Sequence, residues 1–63
     1  MIILKVQTGF PEPDREVIEK ALFDASIKCT TRVEDEYIHV GLRDNTDAAI
    51  ARYHLRMNSY TVV

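Results

Sequence analysis

Tryptophan is absent, glycine and proline occur twice each, and Cys29 is the one cysteine in a chain of 63 residues. Each scarcity excludes something. A lone cysteine closes no intramolecular disulfide, so the chain is not a disulfide-stapled miniprotein. With Gly9 and Gly41 as the only glycines, neither a Walker loop nor a dinucleotide-binding fingerprint can be built. No stretch approaches the roughly 18 apolar residues of a membrane span. Residues 1–6 carry neither the basic start nor the long apolar run of a secretory signal. A soluble domain in the cytoplasm of the producing or infected cell is therefore expected, with no membrane partner. Neither sign of charge dominates: the formal net charge of −2 marks neither a nucleic-acid binder nor an acidic mimic.

What is present is globular. Hydrophobic residues make up 46% and charged residues 29%, a balance that argues against disorder. The length fits one domain, residues 1–63, which buries only about 60% of the surface its unfolded chain exposes. Domains this small lean on a metal, a cross-link or a partner subunit.

Periodicity orders the chain. Over residues 2–7, Ile2, Leu4 and Val6 alternate with Ile3, Lys5 and Gln7, the pattern of a half-buried strand. Gly9, Pro11 and Pro13 break it. Residues 14–25 are predicted helical, with Val17, Ile18, Ala21, Leu22 and Ala25 in one stripe. Asp14 suits the cap of that helix. Phe23 points away from the stripe, either as an exposed anchor or because the helix frays there and the ring folds back.

Residues 27–33 alternate again, with Ile27, Cys29, Thr31 and Val33 inward and Lys28, Thr30 and Arg32 outward. A polar turn over 34–36 leads to a third strand over 37–42, so the pair forms a hairpin. Asp44 and Asp47 have N-cap spacing before a helix over 47–57. Two wheels compete there. One buries Ala48, Ile50, Ala51, Leu55 and Met57 with His54 among them. The other buries Ala49, Ile50, Tyr53 and Met57 but leaves Leu55 in water. The first covers more apolar residues and places Arg52 and Arg56 together outside. Asn58 suits the left-handed position after the helix, and residues 60–63 close as a last strand. The order β-α-β-β-α-β predicts an α+β, ferredoxin-like sandwich: a four-stranded antiparallel sheet with both helices on one face.

Thr8-Gly9-Phe10, Ile18-Glu19-Lys20-Ala21-Leu22 and Ser59-Tyr60-Thr61-Val62 give the chain a likeness that covers nearly its whole length. It resembles the heavy-metal-associated domains of copper-chaperone type. That resemblance implies the same fold. It would also imply metal binding through Cys-x-x-Cys, but Glu12 and Arg15 stand where those cysteines would be. A carboxylate and a guanidinium do not hold a soft monovalent copper ion, so no metal or other cofactor is expected.

The chemistry-bearing residues are sparse. Cys29 reads as a packing cysteine. His39 and His54 are fifteen residues apart with no further ligand at zinc spacing. Ser26 and Ser59 sit in no nucleophile motif, and Glu34, Asp35 and Glu36 read as a solvated turn. No catalytic residue is assigned and the chain is expected not to be an enzyme. The open sheet face carries Ile3, Lys5, Gln7, Lys28, Thr30, Arg32, Tyr37 and His39, with no acid among them. Of these, Ile3, Lys5, Lys28, Arg32, Tyr37 and His39, together with Phe23, Arg52 and Arg56, form the candidate binding surface. The leading expectation is a small regulator that binds a protein, with a homodimer through the open sheet face as one form of it. Stand-alone domains this short are often phage or mobile-element inhibitors of a host factor. The alternative is a single-stranded nucleic-acid module stacking bases on Tyr37.

Overall fold

The computed structural model describes residues 1–63. Six elements follow one another: β1 (Ile2–Gln7), α1 (Pro11–Asp24), β2 (Cys29–Glu34), β3 (Tyr37–Leu42), α2 (Asn45–Met57) and β4 (Thr61–Val62). The four strands form one sheet in the order β2-β3-β1-β4, with every neighbouring pair antiparallel. This is the ferredoxin-like arrangement that the alternation and the two apolar helix stripes predict.

The core lies between the helices and one face of the sheet. Leu4 and Val6 from β1 and Ile38, Val40 and Leu42 from β3 meet Ile18 and Leu22 from α1 and Ala48, Ala51 and Leu55 from α2. Ile27 joins them from the α1–β2 connection. Ala48 and Ala51 let α2 sit close to the sheet.

Several boundaries differ from the periodic reading, each for a local reason. Helix α1 begins at Pro11, three residues before the predicted start at Asp14. Both prolines fall in its first turn, where the missing N–H has no intrahelical partner to lose. Asp14 is therefore not the cap. Instead, Thr8 Oγ1 accepts from the Phe10 N–H at 3.1 Å and donates to the Asp14 carboxylate, tying the end of β1 to the helix. Asp44 does cap α2, accepting from the Asp47 N–H at 2.9 Å. Strand β2 starts at Cys29 and runs through Glu34, which shortens the turn to Asp35 and Glu36, with Asp35 at φ 56°.

Both helices end in the same device. Ser26 (φ 62°) and Ser59 (φ 66°) occupy the left-handed position. Ser26 N–H bonds to Phe23 O and Ile27 N–H to Leu22 O; Ser59 N–H bonds to Arg56 O and Tyr60 N–H to Leu55 O. These are two Schellman motifs, each fastened by a hydrophobic contact just past the turn. The left-handed residue after α2 is thus Ser59, one place beyond the expected Asn58, because the helix runs through Met57 and Asn58 becomes its C-cap.

A non-glycine residue in this region costs roughly 1–2 kcal/mol, and glycine carries no such penalty. Ser59→Gly is therefore expected to stabilise the fold by about 1 kcal/mol, seen as a rise of about 4–8 °C in Tm. An unchanged or lower Tm would show that the serine hydroxyl offsets the backbone strain.

Candidate functional site

Two helices cover one face of a four-stranded sheet, and three surfaces are left without a cover. The first is the open sheet face. Ile3 (54% exposed), Lys5, Lys28 and Arg32 all lie on it in solvent, with Tyr37 and His39 half-buried. The strand register brings Lys5 opposite His39 and Arg32 opposite His39 from the other side. The expectation of a face without acids is corrected here. Glu34 belongs to β2, shares the outward side with Arg32, and pairs with it at 2.8 Å. Lys5 Nζ sits 4.1 Å from the centroid of the Tyr37 ring, a cation–π contact that covers the one aromatic face available for stacking. Gly41 leaves a shallow dent beside Ile3 and His39. A Cβ there would approach Thr30 Oγ1 to 2.6 Å.

The second surface is a groove of about 950 Å³ between α1 and the sheet edge β2, lined by Arg15, Glu19, Phe23, Ile27, Cys29 and Thr31 among others. Helix α1 continues through Asp24, so it does not fray at residue 23, and Phe23 stands 79% exposed at one end of the groove. Arg15 pairs with Glu19 at 3.5 Å, and the Thr31 hydroxyl donates to the same carboxylate. Cys29 lines the groove half-buried. Burial, and then the Glu19 charge, push its thiol above its ordinary value. A thiol raised this way is a poor nucleophile.

The third surface was not assigned from the sequence. Helix α2 buries Ala48, Ala51 and Leu55, as the favoured wheel requires, and half-buries His54 while Tyr53 points out. Ile50 and Met57, expected in the core, are instead 42% and 67% exposed, and Tyr53 is 61% exposed. Spaced at i, i+3 and i+7, they form an apolar stripe on the outer side of α2. The reason is geometric: small Ala48 and Ala51 set the helix against the sheet and turn the competing stripe outward. That stripe was legible as the rejected wheel. Arg52 and Arg56 lie together to one side of it, Arg56 the nearer, both exposed and neither in an ion pair. Tyr53 meets the His54 ring edge-on at 5.5 Å.

No three His, Cys, Asp or Glu side chains converge to hold a metal ion, and His39 and His54 lie on different layers. No helix is long and apolar enough to cross a membrane. Comparison with protein-family models, curated proteins and solved structures finds no match.

Burial raises the Tyr60 phenol, and the Asp14 charge and a hydrogen bond to Asp14 raise it further. Cys29 and Tyr60 thus hold their protons more tightly when folded than when unfolded. The unfolded chain ionises first, so stability falls as pH rises past the ordinary thiol and phenol values of 9.0 and 10.0. The denaturation midpoint is expected to drop between neutral and alkaline pH, and to drop less in Cys29→Ser, Tyr60→Phe. An equal drop would place the alkaline sensitivity elsewhere.

Proposed function

We propose that this chain is a small non-enzymatic regulatory protein that acts by binding another protein. The observation that carries the reading is the apolar stripe Ile50, Tyr53 and Met57 on the solvent side of α2, where a helix that only covers a sheet would be polar. Large exposed side chains of this kind, an aromatic and a methionine with arginines at the rim, have the composition of interface centres. The free Arg52 and Arg56 favour a partner whose contact patch is apolar with an acidic border. Phe23 offers a second anchor on α1. The nucleic-acid alternative rests on Lys5, Lys28 and Arg32, and it is weaker because Arg32 is matched by Glu34 and Lys5 lies over Tyr37.

A photo-reactive residue placed at position 53, in the cell that makes the chain, is expected to cross-link one discrete protein. Met57→Asp should weaken that binding by about 30-fold, the effect of losing one central contact, with the circular dichroism unchanged. Cross-linking that is equal from positions 53 and 37, or indifferent to Met57→Asp, would remove the α2 stripe as the binding surface. Single-stranded oligonucleotide binding that falls steeply with salt would favour the alternative.

A further inference from the structure

The two edges of the sheet are unequal. Strand β4 has two residues, whereas β2 has six and nothing beside it. The direction of the free backbone groups on β2 follows from the register. The Val63 N–H bonds to Lys5 O at 2.8 Å, so Lys5 faces β4. In an antiparallel ladder alternate residues bond to opposite sides. Leu4 and Val6 therefore bond to Val40 and Ile38, and Tyr37, His39 and Gly41 bond to Glu34, Arg32 and Thr30. Cys29, Thr31 and Val33 are left with N–H and C=O groups directed outward. Their side chains point toward α1, yet all three remain half-buried; the strand lacks a neighbour that would finish covering them.

We infer that the occupant of this edge is a second copy of the chain, its β2 pairing antiparallel with the first about a two-fold axis at Thr31. The sequence of β2 selects both the partner and the register. Outward backbone groups lie only on odd-numbered residues, so a symmetric pairing is centred on a residue: Thr31 or Arg32 pairs five residues of each β2, Thr30 or Val33 only three. Centred on Thr31, Lys28 faces Glu34 of the second copy, Glu34 faces its Lys28, Thr30 faces its Arg32, and Cys29 faces its Val33. Displaced one way, Arg32 meets its own copy; displaced the other way, Lys28 meets Arg32. Opposite charges across a strand pair stabilise it and like charges oppose it, so of the two registers that pair five residues only the Thr31-centred one is matched. The groove above the seam is matched as well. Arg15, Glu19 and Phe23 lie one turn apart along α1, with Glu19 bound to Thr31 at the axis. The two-fold axis sets the two stripes antiparallel, so each Phe23 ring faces the other copy's Arg15, a cation–π pairing. The two Glu19 carboxylates that meet near the axis are each already held by an Arg15.

This differs from pairing through the open sheet face, which stays free, as does the α2 stripe. It therefore stands apart from the proposed function: Tyr53→Asp or Met57→Asp leaves the mass in solution unchanged. The test is sedimentation equilibrium of the intact chain, expected to give a dimer. Lys28→Glu turns two attractive pairs repulsive and is expected to weaken the dimer at least about tenfold. Lys28→Glu, Glu34→Lys restores it. A second measurement does not rely on charge. In a Cys29→Ser background, Thr31→Cys is expected to form an intermolecular disulfide on mild oxidation, since a hydrogen-bonded pair holds its Cα atoms about 5.5 Å apart. Thr30→Cys, facing Arg32 of the second copy, is expected not to. A monomer at about millimolar concentration (roughly a thousandfold above a micromolar Kd) would overturn the inference. So would a dimer that ignores the charge swap and cross-links no better through residue 31 than through residue 30.

Discussion

The structure depends on how the inner face of the β1–β3 pair is buried. Leu4, Val6, Ile38, Val40 and Leu42 present one continuous apolar surface, and both helices are placed by covering it, while β2 and β4 pair along its two sides. Helix α1 contributes Ile18 and Leu22, and α2 contributes Leu55 with the small Ala48 and Ala51. Folded domains hold about 0.05–0.15 kcal/mol per residue, so so few buried residues leave little to spare. The tight closures at both helix ends, and the Thr8 link to Asp14, fix the direction of each connection over that core. Two helices suffice for one face of two central strands and for little more.

What remains uncovered follows from that economy. The outer strand β2 is only partly roofed by α1, so Cys29, Thr31 and Val33 stay half-buried and a groove opens beside them. On the far side α2 rests on alanines, and its larger apolar residues turn to solvent. The polar chemistry of the open sheet face is largely matched within the molecule, through Arg32 with Glu34 and Lys5 with Tyr37. The unmatched features are the apolar stripe of α2, the unpaired Arg52 and Arg56 beside it and the free backbone of β2, and the proposed protein contacts rest on these.

The sheet and the helix stripes were legible in the sequence because burial on one face imposes periods of 2 and 3.6 that need no knowledge of neighbours. Ends were less legible. A proline pair reads as a break, but at the first turn of a helix it costs nothing, and α1 starts on it. Serine rarely takes a left-handed conformation, so Ser26 and Ser59 gave no signal. Placing Glu34 in the turn hid the one acid on the open face. The α2 stripe was visible as a second wheel, yet choosing between wheels needs the distance between helix and sheet, which is a tertiary quantity. The edge position of β2 is also tertiary: nothing in residues 29–34 states that one side has no neighbour.

The inequality of the two edges has a consequence for how far association can go. An interface that uses the same strand twice about a two-fold axis is self-complementary and consumes the edge on which it forms. The outermost strand on each far side would then be β4, too short to template another ladder. With the inferred pairing, sheet extension would terminate itself after one step. A chain with two long edges would be open to fibre growth, whereas the brevity of β4 would hold an assembly built on the inferred pairing to a closed, countable particle.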